Sequence, residues 1–112
     1  MALLHATPGQ VINLVGTEDE PAQSTVSVAL FKSEQLEVLK LRIAKSKRIP
    51  AHHVAGEMTI QCLNGRVALT TGGATKELRA GQMVYLAHGD EHALEGLDDS
   101  TLLATIVLTT AR

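Results

Sequence analysis

Five histidines and one cysteine are the side chains of this 112-residue sequence that are best suited to binding a metal ion. A neutral imidazole is a good ligand for Zn, Ni, Cu and Fe(II). His52 and His53 are adjacent, and His92 follows 40 residues after His52. His5 lies close to the first residue and His88 in a predicted turn, so neither is a candidate. Whether any of the other histidines could share an ion depends on the fold that positions them.

Short apolar-rich segments separated by turn residues predict that an all-β fold must position these histidines. Leu39, Leu41 and Ile43, for example, alternate with Lys40 and Arg42, which is typical of a strand with one wet face. Eight to ten short strands at regular spacing indicate an antiparallel sandwich or barrel. The expected strands are residues 10–15, 25–32, 36–44, 58–63, 66–71, 75–78, 82–87, 92–94 and 101–109.

One segment could form a helix instead of a strand, and the segments between the strands contain a loop and two predicted turns. Residues 33–47 could instead form an amphipathic helix capped by Ser33, but their period-two alternation favours a strand. The polar residues 46–55, which include a proline, are interpreted as a loop. Asn64-Gly65 is the strongest hairpin signal, predicting that residues 58–63 pair with residues 66–71. Thr71-Gly72-Gly73 predicts another turn.

Residues 50–65 and 81–92 resemble the two sequence motifs of the cupin superfamily in its small single-domain form. In the second motif Gly81, Gly89 and His92 stand where the family has them, and Ala87 replaces the usual proline. The resemblance implies a cupin-type antiparallel β-barrel, also called a double-stranded β-helix or jelly roll. Residues 1–112 would form one domain, with an N-terminal strand and loop over 1–24 and the barrel core over 36–108.

The first motif departs from the family at its metal ligands. Met58 stands where the family has a glutamate, and a thioether is a poor substitute for a carboxylate. The spacing also retains only one histidine of the His-x-His pair, which is either His52 or His53. Alternation along a strand favours His52, whereas a break at Pro50 or Gly56 would favour His53.

Several further side chains are expected inside or beside the barrel. Met58, Ile60 and Cys62 share the face of His52 and are expected to line the interior pocket. Cys62 is expected to behave there as a small hydrophobic residue. Glu57 could replace the missing carboxylate if a bulge rotated the strand, but it is more simply a solvated side chain.

Two functions follow from the resemblance. The first is a protein of unassigned activity that binds a small molecule in a barrel with a degenerate or metal-poor histidine site. The alternative is a metal-dependent enzyme, dioxygenase-like or isomerase-like, in which His92 and His52 or His53 bind Zn, Ni, Cu or Fe. The metal would then act as a Lewis acid or an oxygen binder. The loss of the glutamate favours the first function.

Composition limits the partners and the compartment. Ten basic and twelve acidic residues give a net charge of −2, which argues against nucleic-acid binding. A single cysteine forms no internal disulfide, and no apolar run has the roughly 20 residues of a membrane span. We therefore expect a cytoplasmic protein without membrane contact. An apolar strand at residues 10–15, isolated by the loop 16–24, should pair with a second copy in a two-fold homodimer.

Overall fold

The structure is a computed structural model that describes residues 5–14 and 26–108. The loop expected at residues 16–24 lies outside the described residues. Nine strands form within the described ranges, and no helix there could cross a membrane. The strands are β1 (Val26–Lys32), β2 (Leu36–Ile43), β3 (Arg48–His52), β4 (Met58–Asn64), β5 (Arg66–Thr71), β6 (Ala74–Arg79), β7 (Met83–Leu86), β8 (His92–Gly96) and β9 (Ser100–Val107).

The strands form two antiparallel sheets, so the predicted all-β fold is confirmed. The five-stranded sheet has the order β1-β2-β9-β4-β7, and the four-stranded sheet has the order β3-β8-β5-β6. The helix considered for residues 33–47 is not formed, because β2 occupies Leu36–Ile43 of that segment. The period-two alternation, with Leu39, Leu41 and Ile43 against the core, correctly predicted the strand.

The core lies between the two sheets and is almost entirely aliphatic. Ile43, Val67 and Leu102 are fully buried, and each comes from a different strand. β9 is the central strand, because it pairs with both β2 and β4. The buried cluster comprises Ile43, Met58, Ile60, Cys62, Val67, Leu69, Leu78, Leu86, Leu94, Leu102, Ala104 and Ile106.

The loop predicted for residues 46–55 is wrong in its central part, where β3 forms an edge of the four-stranded sheet. Most of its side chains are exposed, so it lacks the hydrophobic alternation by which strands are recognised. Pro50 is compatible with an edge strand because a missing N–H costs no ladder hydrogen bond there. The register with β8 also shifts between Ile49 and His52.

The hairpin predicted at Asn64-Gly65 is wrong. β4 pairs with β7 and β9, whereas β5 pairs with β6 and β8 in the other sheet. Gly65, with φ of 84°, is the corner at which the chain passes between the sheets. The tight hairpin of this region joins β5 to β6 through Gly72 and Gly73, which both have positive φ.

The strand predicted at residues 10–15 is also wrong for residues 10–14, which are irregular; residue 15 is not described. A turn competes with the strand, because the Gln10 N–H donates to the Thr7 carbonyl at 3.0 Å. The Gln10 side chain in turn accepts from the Thr7 N–H at 3.1 Å. The Ala6 N–H donates to the Leu30 carbonyl at 2.9 Å, so this segment lies beside β1.

Candidate functional site

Two of the three candidate histidines meet at the end of the four-stranded sheet. His52, the last residue of β3, is the register partner of His92, the first residue of β8. Their ring centroids lie 4.3 Å apart with an interplanar angle of 57°. His92 is 2% exposed, whereas His52 is exposed to solvent. We call His52 and His92 the histidine pair.

Hydrogen bonds to backbone carbonyls fix the tautomer of both rings. Nδ1 of His52 lies 3.1 Å from the Pro50 carbonyl oxygen, and Nδ1 of His92 lies 3.2 Å from that of Asp90. A carbonyl oxygen only accepts, so Nδ1 must donate its proton in each ring. The Nε2 atom of each neutral ring therefore keeps its lone pair for another partner.

A tight turn places His92 at this position. The Asp90 N–H donates to the Ala87 carbonyl at 3.1 Å, and the Asp90 carboxylate accepts from the Ala87 N–H at 2.9 Å. Gly89 has a φ of 71°, and its N–H donates to the Val54 carbonyl at 3.2 Å. The segment preceding His92 is thereby attached to the segment that follows His52.

Burial keeps His92 neutral. Loss of solvation lowers the pKa of its imidazole below the ordinary value, and a charge on His52 or His53 would lower it further. The hydrogen bond to the Asp90 carbonyl acts in the opposite direction and is the smaller effect. A neutral His92 presents Nε2 as an acceptor at neutral pH.

The lowered pKa of His92 predicts that the protein loses stability in mild acid. Below about pH 6.5, the ordinary histidine value, the unfolded chain binds a proton that folded His92 does not. The contribution of neutral His92 to the free energy of unfolding is therefore complete above that pH. It is lost as the pH falls towards the lower pKa of the folded state. Urea unfolding between pH 7.5 and 5.5 measures this loss. His92→Gln should remove part of the pH dependence, and an unchanged profile would contradict the prediction.

The other predicted site residues are exposed beside the pair or lie inside the core. His53 is exposed, and the strand register pairs its neighbour His52 with His92. Met58, Ile60 and Cys62 face inward as the alternation predicted, but they belong to the packed aliphatic cluster. Burial raises the pKa of the Cys62 thiol, which disfavours the thiolate that a metal would need.

The described side chains do not provide a complete metal site. Within residues 5–14 and 26–108, no three His, Cys, Asp or Glu side chains are grouped so as to hold a metal ion. Glu57, the possible replacement carboxylate, instead accepts a hydrogen bond of 2.5 Å from the Tyr85 hydroxyl. This bond raises the pKa of Tyr85. The donor set of the histidine pair is therefore two imidazoles.

Two contacts near the pair were not predicted from the sequence. Thr71 is the register partner of His92 in β5, and its hydroxyl donates to the Glu91 carbonyl at 2.7 Å. His88 is exposed as expected, but its Nδ1 lies 3.2 Å from the Ala55 carbonyl oxygen. Both contacts hold loops beside the pair. Both join residues far apart in the sequence, so no local sequence pattern predicts them.

Solved structures share this architecture. No protein-family model matches the sequence, and no curated protein matches it significantly. The chain is similar to a conserved protein of unknown function from Streptococcus pyogenes, with a TM-score of 0.78, 22% identity and coverage of 96% of this chain and 95% of that one. It is also similar to a cupin superfamily protein from Desulfitobacterium hafniense, with a TM-score of 0.76, 16% identity and coverage of 90% and 100%.

An enzyme is also similar in structure to this chain, over part of the enzyme's length. The DMSP lyase of Ruegeria pomeroyi matches with a TM-score of 0.71 and 21% identity, covering 79% of this chain and 50% of the lyase. At these identities the comparisons concern the fold. This chain has the cupin fold, a double-stranded β-helix built from two antiparallel sheets.

Proposed function

We propose that this protein binds a small organic molecule at the histidine pair, where Nε2 of His52 and Nε2 of His92 accept hydrogen bonds from the ligand. The observation that carries the proposal is the pair itself: each Nδ1 is held by a carbonyl, which leaves both Nε2 atoms available. Buried His92 is neutral and cannot serve as a cation that attracts anions. The matching ligand is an uncharged or cationic molecule with N–H or O–H groups.

Histidine-selective NMR tests this proposal. Small polyols, amides and amines are added to labelled protein, and the ring signals of His52, His92 and His88 are followed. We expect at least one compound class to shift the signals of both His52 and His92. His88 is the internal control because it is exposed and its Nδ1 is likewise near a carbonyl. The absence of any shift at millimolar concentrations would contradict the proposal.

A metal-dependent enzyme is the second candidate, and one observation favours it. Metal-binding histidines commonly donate their second ring nitrogen to a carbonyl or carboxylate, as both members of this pair do. In that case His52 and His92 would hold the ion, which would supply Lewis acidity. Only two imidazoles are brought together, and Met58 occupies the place where the resemblance implies a carboxylate. This incomplete donor set favours the small-molecule binding protein over the enzyme.

The effect of zinc or nickel on the melting temperature separates the two candidates. Binding with a Kd of about 1 mM would stabilise the protein at about 1 mM metal by roughly 0.4 kcal/mol. For a chain of this size that is a rise of about 2–3 °C, whereas micromolar binding would give a rise above roughly 10 °C. We expect the smaller rise, and the larger one would favour the enzyme. Imidazole must be neutral to coordinate, and the pKa of His92 lies below the ordinary value of about 6.5. Either rise should therefore disappear as the pH falls below about 6.5 towards that lower pKa.

Variants with a single histidine replaced then show which side chains cause any rise in melting temperature on adding zinc or nickel. His92→Ala and His52→Ala should each remove it, because the structure brings these two rings together. His53→Ala and His88→Ala should leave it unchanged. A response that is lost in His53→Ala but retained in His52→Ala would show that the other histidine faces the site.

We propose further that the protein is cytoplasmic and homodimeric. Cys62 is buried and free, so its fold makes no use of an oxidising compartment. Exposed apolar side chains lie near both edges of the five-stranded sheet: Val11 beside β1, and Met83 and Tyr85 on β7. Such edges are commonly covered by association. Light scattering at micromolar concentration should report a mass of two chains, and a single-chain mass would contradict the dimer.

A further inference from the structure

A cleft of about 490 Å³ opens between β6, an edge of the four-stranded sheet, and β7, an edge of the five-stranded sheet. Leu69 and Leu78 reach it from the buried core, and Val84 is half-buried beside them. Lys76, Gln82 and Met83 line the remainder, and Met83 is 55% exposed. The cleft thus combines an aliphatic floor with polar groups and an opening to solvent.

Lys76 is the unusual residue of this cleft. It is the register partner of Leu69, so it projects from the inward face of β6, the face that also carries Leu78. Its side chain is exposed and makes no hydrogen bond or ion pair with any residue of the described ranges. Among the described residues, the ammonium group thus has no bonded counterion at the border of this aliphatic surface.

The neighbouring polar groups leave this positive charge unopposed. Glu77 also borders the cleft, but Arg79 binds its carboxylate at 2.6 Å and Arg66 lies 3.5 Å from the same oxygen. The Gln82 side-chain oxygen accepts from the Arg79 N–H at 2.8 Å. Its amide –NH2 group has no partner among the described residues and remains a donor.

We propose that this cleft binds a small organic carboxylate with a short aliphatic body. Lys76 pairs with the carboxylate, the Gln82 amide donates to it, and Leu69, Leu78 and Val84 cover the aliphatic part. A charge-assisted hydrogen bond gives affinity and orientation, while the aliphatic floor supplies the hydrophobic contribution. The volume is within the usual range of about 300–1,000 Å³ for small-molecule sites. This site is separate from the histidine pair and does not depend on the function proposed for it.

A purely structural role for Lys76 makes a different prediction. An inward-facing charge on an edge strand can prevent that edge from pairing with another chain. If this were its only role, Lys76→Met would promote association but would not alter carboxylate binding. Binding and association are therefore measured separately.

Methyl NMR with hexanoate and 1-hexanol tests the proposal. We expect hexanoate to shift the methyl signals of Leu69, Leu78 and Val84, and 1-hexanol to bind about tenfold more weakly, because it lacks the charge that Lys76 meets. Lys76→Met should weaken hexanoate binding by about tenfold and leave 1-hexanol binding unchanged. Lys47→Met, which removes the same charge from an exposed position, is the matched control and should bind hexanoate like the wild type.

Three results would overturn the proposal: no shift of these methyl signals, equal affinities for hexanoate and 1-hexanol, or unchanged hexanoate affinity in Lys76→Met. If Lys76→Met aggregates, Lys76→Gln and the salt dependence of the wild type replace it. Added sodium chloride should weaken hexanoate binding and leave 1-hexanol binding unaffected. A hexanoate affinity independent of salt would also overturn the proposal.

Discussion

Replacing Gly65 by alanine is expected to destabilise the protein by about 3–5 kcal/mol, as backbone strain and overpacking act together. Gly65 has a φ of 84°, a conformation that L-residues rarely adopt. A Cβ there would also lie 2.3 Å from the Ser100 Oγ and 2.5 Å from the Asp99 carbonyl oxygen. The backbone oxygen cannot move aside like the end of a flexible side chain, so the corner between the two sheets must distort.

Ser100 makes this corner harder to repack. Its hydroxyl accepts from the Arg66 N–H at 2.9 Å. It also lies 2.9 Å from the Arg66 carbonyl and 2.8 Å from the Asp98 carbonyl, to one of which it donates. A methyl group at residue 65 would displace the hydroxyl and leave buried polar groups unsatisfied, an additional cost of about 1–3 kcal/mol if the loss is complete.

Substitutions at two other glycines separate the cost of backbone strain from the cost of crowding around the added Cβ. Gly81 has a φ of 90° with nothing within 4 Å of the added Cβ, so Gly81→Ala tests strain alone and should cost about 1–2 kcal/mol. Gly96 lacks a positive φ, but its Cβ would lie 2.4 Å from the Ala44 carbonyl oxygen. Gly96→Ala therefore tests crowding alone. Urea unfolding should show Gly65→Ala to be the most destabilised of the three variants. If Gly65→Ala lost no more free energy of unfolding than Gly81→Ala, the corner would be able to repack around the added methyl group.

The sequence identified Asn64-Gly65 as a turn but could not show which strands it connects. A positive-φ glycine serves a two-residue hairpin and a corner between sheets equally well, so the dipeptide alone does not distinguish them. The distinction depends on β9, which pairs with β4 and is far away in sequence. The next turn, Gly72-Gly73, is a true hairpin because both of its residues have positive φ and no second sheet intervenes.

The histidine pair was only partly predictable for a similar reason. Alternation placed Met58, Ile60 and Cys62 inside the barrel, since burial on one face imposes a period of two. The edge strand β3 has mostly exposed side chains, and no such pattern marked it. The choice of His52 over His53 as the partner of His92 depends on the irregular register after Ile49. The carbonyl partners of both rings are backbone atoms, which residue types do not reveal.

Replacing Met58 by glutamate is expected to destabilise the protein by about 3–5 kcal/mol at neutral pH, because the carboxylate would be buried without a partner. Met58 is 5% exposed, and its register partners Leu86 and Ile106 are both aliphatic. Burial should raise the folded pKa of the introduced carboxyl above about 4.3, the ordinary value for glutamate. As the pH rises, the introduced carboxyl therefore ionises at a lower pH in the unfolded chain than in the folded protein. The additional loss should therefore be absent below about pH 4.3 and grow as the pH rises towards the folded pKa.

Urea unfolding of two control variants isolates the charge in Met58→Glu. Met58→Gln has nearly the same shape without the charge, so its loss relative to wild type should not grow with pH. Met83→Glu introduces the same charge at a 55% exposed position and should change stability by less than about 0.5 kcal/mol. Equal losses for Met58→Glu and Met58→Gln at pH 8 would contradict a buried, unpaired carboxylate. Added zinc then tests whether residue 58 lies within reach of the histidine pair: if it does, the carboxylate completes a three-ligand set and zinc stabilises Met58→Glu more than the wild type. We expect this gain to disappear in the double variant that also carries His92→Ala.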